Sequence, residues 1–303
     1  MVSQLFPLLQ LKHDKRWKEA ESDAGPETKP IVIGGLSLDI KMIVTDLDGT
    51  LLRNDKMISP YTVEVLEKCR TNGIKVVFAT ARSERNIVDF SKVIAPDAII
   101  SNNGAQISCN NTVIQCNYML PANVQSIVSQ LLTIPGIQLT LDYASMSVTN
   151  CKEYMSWGDC DVNYSDFSEY DPHYIQKIVI AKANKSITKH IDFRRYNCHV
   201  YYCPDTKWYM VMANMAKKSD SVRYLAEYFG ISLAQVIAFG DDHNDIEMLQ
   251  ECGIGVTVAN AIDEAKFVAN HTCDTNENDG VAKWIMSNII EFTRDDTEQE
   301  NGL

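Results

Sequence analysis

No apolar run in this sequence approaches the roughly 20 residues that a helix needs to cross a bilayer. We also expect no secretory leader, because the apolar stretch 5–9 is short, is interrupted by Pro7 and follows no basic residues. Basic residues are outnumbered, with 28 Lys and Arg against 40 Asp and Glu and a net charge of −12. This balance argues against nucleic acid and against an anionic membrane as partners.

Disulfide and zinc patterns are also absent. The nine cysteines include no C-x-x-C pair, and their number is odd. Several fall in apolar segments, which favours free buried thiols in a reducing cytosol over a disulfide framework. Cys198-His199 with Cys203 lacks the second pair that a structural zinc site needs. We therefore expect a cytoplasmic protein.

Two carboxylates stand where a buried strand runs into a glycine turn. The apolar run Met42-Ile43-Val44-Thr45 is followed by Asp46-Leu47-Asp48-Gly49-Thr50-Leu51-Leu52. Short apolar runs of this kind are typical of buried parallel strands, whose carboxyl ends carry the ligand sites. Two buried anions this close need a cation or a proton to neutralise them, so the pattern indicates a site rather than a simple turn.

A second acidic loop follows another apolar strand. Val236-Ile237-Ala238-Phe239 leads into Gly240-Asp241-Asp242-His243-Asn244-Asp245. The two loops can meet if their strands lie near each other in one sheet, and their oxygen ligands would suit Mg²⁺ better than Zn²⁺. We interpret His243 as an exposed loop residue, because no second His or Cys lies at ligand spacing.

The order of elements predicts an α/β protein: a doubly wound parallel-sheet (Rossmann-like) core with an inserted α+β cap domain. Strands alternate with helices, of which the first starts at Ser59-Pro60 and stops at Gly73. The pattern becomes mixed between Tyr118 and Tyr209, a section with ten of the thirteen tyrosines. The predicted units are a flexible extension (1–40), the core (41–118 and 211–292), the cap (119–210) and a disordered tail (293–303).

Four features now stand in an order that resembles the haloacid dehalogenase-like hydrolases, and specifically the Cof-type sugar-phosphate phosphatases. They are the residues 46–50, Phe78-Ala79-Thr80-Ala81-Arg82, Lys218 before a helix, and the loop 240–245. Asn103-Gly104-Ala105, Asn260-Ala261 and Asn278-Asp279-Gly280-Val281-Ala282 are also similar to the Cof pattern. The resemblance covers about residues 41–292.

The resemblance implies a role for each of these residues. Asp46 would be the nucleophile that forms an aspartyl-phosphate, and Asp48 would be the general acid and then the general base. Mg²⁺ would be held by the Asp46 carboxylate, the Asp48 main-chain carbonyl and Asp241. The residues implied to bind the phosphate are the Leu47 N–H, Thr80, the Ala81 N–H, Lys218 and Asn244. Asp245 would either lie behind the metal or brace Lys218.

Two positions depart from the family pattern. Ala81 stands where the second motif often has glycine, but a main-chain N–H is still available there. The lysine belongs to Lys217-Lys218, and the spacing back from Gly230 favours Lys218. We expect Ser219 or Asp220 to cap the helix that follows.

The resemblance implies that the substrate is a small phosphorylated metabolite, and the motifs leave its identity open. The resemblance favours a sugar phosphate, and nucleotide, flavin, pyridoxal and phytic-type phosphates stay as alternatives. Candidates for contacting the leaving group are Tyr143, Tyr154, Trp157 and Asp159. Phosphoryl transfer to a second hydroxyl, as in mutases, and a catalytically silent binding protein are the other functions considered. The oligomeric state cannot be inferred from the sequence.

Overall fold

The structure is a computed structural model that describes residues 31–33, 36–152, 161–181, 187, 191–203 and 207–290. The strands are β1 Ile31–Ile33, β2 Leu36–Leu38, β3 Met42–Thr45, β4 Lys75–Ala79, β5 Ala98–Ser101, β6 Gln106–Cys109, β7 Thr112–Cys116, β8 Gln138–Asp142, β9 Ser147–Thr149, β10 Val162–Tyr164, β11 Lys177–Ala181, β12 Cys198–Cys203, β13 Trp208–Ala213, β14 Val236–Gly240, β15 Ile254–Val258 and β16 His271–Cys273. The α-helices are α1 Pro60–Thr71, α2 Val88–Val93, α3 Pro121–Leu132, α4 Lys218–Phe229, α5 Ile246–Glu251, α6 Asp263–Val268 and α7 Gly280–Ile285. Short 3₁₀ turns cover Glu84–Ile87, Asn102–Gly104, Phe193–Tyr196, Leu233–Gln235, His243–Asp245 and Asn276–Asn278, and a π-helical turn covers Met286–Ile290.

An eight-stranded sheet forms the core unit, with the strand order β16-β15-β14-β3-β4-β5-β6-β7. The six strands from β16 to β5 are parallel, whereas β6 and β7 pair antiparallel at one edge. From β3 the chain adds β4 and β5 on one side and later β14 to β16 on the other. The strand order therefore reverses between β3 and β14, which is where doubly wound sheets bind ligands.

Local sequence explains the ends of α1. Ser59 caps the helix by accepting the Thr62 N–H at 3.0 Å, and Pro60 occupies the first helical position. Thr62, Val65, Leu66 and Cys69 are buried on one face, against the core sheet. The chain leaves the helix through Gly73, whose φ of +77° is accessible to glycine.

The inserted unit consists of α3 and the strands β8 to β13. Its sheet has the order β10-β9-β8-β11-β13-β12, in which β10 and β9 are parallel and the other pairs are antiparallel. Helix α3 buries Val124, Ile127, Val128 and Leu131 on this unit's own core. Strand β13 continues to Ala213 because it pairs with β12 along its whole length, so the sheet extends past the predicted boundary at residue 210.

The predicted α/β class with an inserted α+β unit is confirmed. Tyr154, Trp157, Asp159, the first thirty residues and the tail 293–303 lie outside the described residues. Within the part of the chain that is described, no helix is both long and apolar enough to cross a membrane.

Candidate active site

Asp46 lies at the carboxyl end of β3, next to β14. Its N–H donates to the Phe239 carbonyl at 3.0 Å, and its side chain is almost fully buried. The chain then turns sharply, because the Leu47 carbonyl accepts the N–H groups of Leu51 at 3.1 Å and Leu52 at 2.8 Å. The predicted convergence of the two acidic loops is thus confirmed: β3 and β14 are neighbours and pair Thr45 with Phe239.

Lys218 is the first residue of α4, and its ammonium reaches into the site. Nζ lies 2.6 Å from Oδ1 of Asp46 and 2.7 Å from Oδ1 of Asp245, and the side chain is fully buried. Burial opposes the charge on Lys218, but the carboxylates of Asp245 and Asp46 outweigh it and hold the lysine pKa above its usual value. The ammonium therefore neutralises part of the acidic cluster.

The predicted N-cap of α4 was wrong. Lys217 holds the N-cap position, and the helix begins at Lys218 rather than after Ser219 or Asp220. Both polar side chains have other partners, since Ser219 Oγ donates to Glu247 at 2.9 Å and Asp220 accepts from Arg223 at 2.7 Å. Because the helix begins at Lys218, this residue occupies its first position, where the side chain is buried.

Asp241 and Asp245 come from the loop after β14. Thr50 Oγ1 donates to Asp241 Oδ1 at 2.6 Å, and Asp245 Oδ2 accepts the N–H groups of Asp241 at 3.1 Å and Asp242 at 3.2 Å. Burial, followed by the charge of Asp245, raises the pKa of Asp241 to about 7. Asp245 braces Lys218 and also lies beside the candidate metal ligands, so its position combines the two alternatives predicted for it.

The carboxylates form a group suited to a hard cation. Asp46, Asp241 and Asp245 each offer an oxygen, and these oxygens lie within 4.8 Å of one another. The Lys218 ammonium contacts the two buried carboxylates, Asp46 and Asp245, while Asp241 is half-buried beside them. Oxygen donors of this kind are those that Mg²⁺ prefers. The residues present therefore fit the predicted ion. The Asp48 side chain lies outside this group, as expected if only its main-chain carbonyl were a ligand.

The Asp48 side chain is held by two cations. Arg82 donates to it through Nε at 2.6 Å and Nη2 at 2.7 Å, and Lys56 Nζ lies at 2.9 Å. Partial burial opposes the charged form of Asp48, but Arg82 and Lys56 together lower its pKa. The sequence placed Arg82 in the second motif without assigning it a role. It gave no signal for Lys56, which has a left-handed backbone conformation with φ +64°.

The predicted phosphate-binding residues lie in the loops that follow β3, β4 and β14 and at the start of α4. Thr80 is buried, and its Oγ1 accepts the Arg82 N–H at 3.1 Å. Ala81 follows Thr80 in the loop after β4, and Leu47 follows Asp46. Asn244 donates from Nδ2 to Oδ1 of Asn103 at 2.9 Å, which fixes the orientation of its amide.

The downstream residues of the Cof pattern support the first loop. Asn260 Nδ2 donates to the Gly49 carbonyl at 2.8 Å, and Asn276 Nδ2 donates to the Leu52 carbonyl at 2.8 Å. Arg53 forms an ion pair with Asp279. The sequence pointed to Asn260 and Asp279 but not to Asn276 or Arg53, because neither of these has a local pattern that predicts a tertiary partner.

Comparison with known proteins identifies the family. A sequence model of the haloacid dehalogenase-like hydrolases matches residues 43–285. A protein of Haemophilus influenzae, provisionally named a phosphatase, is 31% identical over 252 residues, which are 80% of this chain and 95% of that protein. The 5-amino-6-(5-phospho-D-ribitylamino)uracil phosphatase YitU of Bacillus subtilis is 27% identical over 80% of this chain and 96% of its own. The pyridoxal phosphate phosphatase YbhA of Escherichia coli is 26% identical over 82% of this chain and 99% of its own.

Solved structures show the same fold. A phosphatase of the haloalkanoate enzyme superfamily from Bacteroides thetaiotaomicron superposes with a TM-score of 0.74 at 22% identity, over 85% of this chain and 97% of that one. The two chains therefore share one fold. The chain belongs to the haloacid dehalogenase-like hydrolase family, among its Cof-type phosphatases.

Proposed function

We propose that the protein hydrolyses a small phosphomonoester, of the sugar-phosphate class, with Mg²⁺ and through an aspartyl-phosphate. The observation that carries the proposal is the placement of Asp46 in contact with Lys218 and beside Asp241, with Asp48 two residues away along the same loop. A buried carboxylate beside a cation-binding group is the arrangement that a phosphoryl-accepting nucleophile needs.

In the first step, the Asp46 carboxylate attacks phosphorus and the bond from phosphorus to the substrate's ester oxygen breaks. Asp48 gives its proton to the departing alkoxide. In the second step, water attacks the phosphorus, its proton passes to the Asp48 carboxylate, and the bond to Asp46 breaks. The enzyme returns to its starting state with inorganic phosphate and the alcohol as products.

Proton donation requires that Asp48 be protonated despite its two cationic partners. Arg82 and Lys56 favour the carboxylate in the free enzyme. A phosphate dianion arriving beside Asp48 would oppose this effect, because a like charge raises the pKa of a neighbouring carboxyl. Substrate binding would thus prepare the acid.

The remaining chain groups hold the phosphoryl oxygens. The ammonium of Lys218 and the hydroxyl of Thr80 would contact two of them, and the Leu47 and Ala81 N–H groups with the Asn244 amide would complete the set. Asp46, Asp241 and the Asp48 carbonyl would hold Mg²⁺. When bound, the ion supplies positive charge to a phosphoryl oxygen and to the crowded carboxylates.

Two curated relatives support a small substrate. One acts on a phosphorylated ribityl compound and the other on pyridoxal phosphate, both small phosphomonoesters. We propose a sugar phosphate as the substrate. Phosphorylated ribityl compounds and pyridoxal phosphate are the alternatives to test beside it. A cytoplasmic location is part of the proposal, since the eight cysteines in the described residues are all free thiols.

The test is phosphate release from a panel of sugar, ribityl, pyridoxal and nucleotide phosphomonoesters, with Mg²⁺ and with EDTA. We expect release from at least one compound, loss of release in EDTA and recovery when Mg²⁺ is restored. The Asp46→Asn variant should release no phosphate under any condition. Turnover that persists in EDTA, or in Asp46→Asn, would contradict the proposal.

A further inference from the structure

Two adjacent residues of the inserted unit, Gln176 and Lys177, contact the core at the point where β11 begins. Gln176 is fully buried and bridges two core residues: its Oε1 accepts Nδ2 of Asn102 at 2.6 Å, and its Nε2 donates to Oε1 of Gln106 at 2.7 Å. Lys177, the next residue, donates from Nζ to the Ala81 carbonyl at 3.0 Å. Ala81 lies in the loop proposed to bind phosphate.

Lys177 is buried together with its counter-ion. Its side chain is 8% exposed, and Nζ lies 3.2 Å from Oδ2 of Asp142, whose side chain is 4% exposed. Asp142 also accepts the Ser147 hydroxyl at 2.5 Å. A buried ammonium needs such a partner, and Asp142 already provides it. The hydrogen bond to the Ala81 carbonyl is therefore not needed to neutralise the Lys177 ammonium.

Arg85 joins the same cluster from the core side. Its Nη1 donates to the Tyr143 carbonyl at 3.0 Å, and its Nη2 lies 3.7 Å from Oδ1 of Asp142. Arg85 belongs to the 3₁₀ turn that directly follows the phosphate-binding loop. Asp142 thus lies between Arg85 of the core and Lys177 of the inserted unit. Both ion pairs form when the two units are in contact.

The carbonyls of Thr80, Ala81 and Arg82, in the loop proposed to bind phosphate, accept hydrogen bonds from different units of the protein. The Thr80 carbonyl accepts the Asn103 N–H at 2.9 Å, and the Arg82 carbonyl accepts the Asn102 N–H at 2.8 Å. Both donors belong to the core. The Ala81 carbonyl between them accepts the Lys177 ammonium, which belongs to the inserted unit.

The Ala81 carbonyl is part of the peptide that also contains the Arg82 N–H. That N–H donates to the Thr80 hydroxyl, and the Arg82 side chain holds Asp48. We propose that Lys177 is a positioning residue: by binding the Ala81 carbonyl, it fixes the Ala81–Arg82 peptide in the orientation that aligns Thr80 and Arg82 when the inserted unit covers the core. The expected effect of Lys177 on turnover rests on the proposed function. Its effect on the conformation of the loop does not depend on that function.

The competing explanation is that Lys177 only neutralises Asp142. Lys177→Met removes the ammonium, and Lys152→Met serves as the matched control, because Lys152 is an exposed lysine of the inserted unit whose ammonium lies over the Tyr164 ring. We would measure kcat and KM for p-nitrophenyl phosphate, the melting temperature, and the hydrogen exchange of the amides at 80–86 without substrate. The conservative variant Lys177→Arg keeps the charge and the donors.

A positioning role predicts that Lys177→Met lowers kcat by about ten- to a hundredfold, the effect of losing one charge-assisted hydrogen bond. KM should change much less, exchange at 80–86 should accelerate, and Lys177→Arg should recover most of both properties. Lys152→Met should match the wild type. A Lys177→Met variant with wild-type kcat and wild-type exchange, whatever its melting temperature, overturns the inference.

The experiment gives a result even if Lys177→Met does not fold or the wild type is inactive. If Lys177→Met does not fold, Lys177→Gln replaces it, since its side chain is polar but shorter than lysine and carries no ammonium, and the same two changes are expected. If the wild type hydrolyses no phosphomonoester, the proposed function fails, yet the exchange measurement still decides the inference. Unchanged protection of 80–86 then overturns it, and lost protection supports it.

Discussion

At the residue scale, the charge of the site depends on Lys218. Its ammonium contacts Asp46 and Asp245, and Asp241 lies in the same group. Each of these carboxylates is mostly or fully buried. Removing the lysine would leave anions without a counter-ion in a place that water hardly reaches, and uncompensated buried charges are strongly destabilising.

We therefore expect Lys218→Met to lower the free energy of unfolding by ~3–5 kcal/mol in metal-free buffer. Burial already raises the pKa values of Asp46 and Asp241 in the folded wild type, and removing the lysine should raise them further. The folded variant then binds more protons than the folded wild type, so the loss should shrink as the pH falls. Denaturant unfolding across pH measures both effects.

Lys217→Met is the matched control for this variant. Lys217 forms a surface ion pair with Glu247 at 2.8 Å, and such pairs contribute about 0–1 kcal/mol. Similar losses for the two variants, or a Lys218→Met loss that does not depend on pH, would contradict the assigned charge balance.

Arg82 should control the protonation of Asp48. Arg82→Met removes a bidentate partner, so the Asp48 pKa should rise and the limb of the pH–rate profile that reports Asp48 should move to higher pH. The pH dependence of kcat/KM measures the shift. A limb that stays in place while the overall rate falls would show that Arg82 does not act through Asp48.

The positions of site residues were predictable where a local motif carries them. Asp46, Asp48 and Asp241 follow apolar strands within a few residues, and Lys218 stands directly before a periodic helix, so the sequence itself marks them. Arg85 and Lys177 contact partners from distant parts of the chain, and Lys56 reaches back to Asp48 in the same loop. Nothing in their local sequence distinguishes them from solvated lysines and arginines.

At the element scale, the site exists because the strand order reverses between β3 and β14. The two loops that follow these strands approach so closely that Gly49 packs directly on the Asp241 carboxylate, and a Cβ at position 49 would collide with it. Gly49 also has a φ of +82°, which side-chain-bearing residues rarely adopt.

Gly49→Ala should therefore displace Asp241 and lose most of the phosphate release and most of the stabilisation by Mg²⁺. The control is Gly230→Ala, which also has a positive φ, of +68°, but whose added Cβ meets nothing within 4 Å. That control should lose about 1–2 kcal/mol of stability through backbone strain and keep its activity per folded molecule. Equal activity losses in the two variants would contradict a role for the close approach.

Elements with a long period were predictable, and short ones were not. Helix α3 and strand β8 have apolar patterns that extend over several residues, and the residues of these patterns are buried in the structure. Strands β9, β10 and β16 have three residues each, too few to show a period. The hairpin of β6 and β7 was missed because β7 is exposed or half-buried and so lacks an apolar run.

At the scale of the whole molecule, the acidic cluster links metal binding to stability. An ion that binds the folded state adds about 2.7 kcal/mol when its concentration is a hundredfold above Kd. The melting temperature should therefore rise with Mg²⁺, by about 2–4 °C per kcal/mol for a chain of this size.

The rise should depend on pH in a defined direction. The pKa of Asp241 is about 7 without metal, so this carboxyl is mostly protonated below that pH and must lose its proton to bind a cation. Thermal unfolding with and without Mg²⁺ should show a larger shift at about pH 8 than at about pH 6. Asp241→Asn should show little shift at either pH, and a shift that is larger in acid would contradict the assignment.

The most direct test of the central claim is to trap a phosphoryl group on Asp46. Asp48→Asn lacks the base for the second step, and p-nitrophenyl phosphate needs little help from an acid in the first, so the aspartyl-phosphate should accumulate. After an acid quench, mass spectrometry should find one added phosphoryl group on the peptide that contains Asp46, and none in Asp46→Asn. A wild type that turns over while no phosphoryl group is found on Asp46, or one found on another residue, would contradict the account.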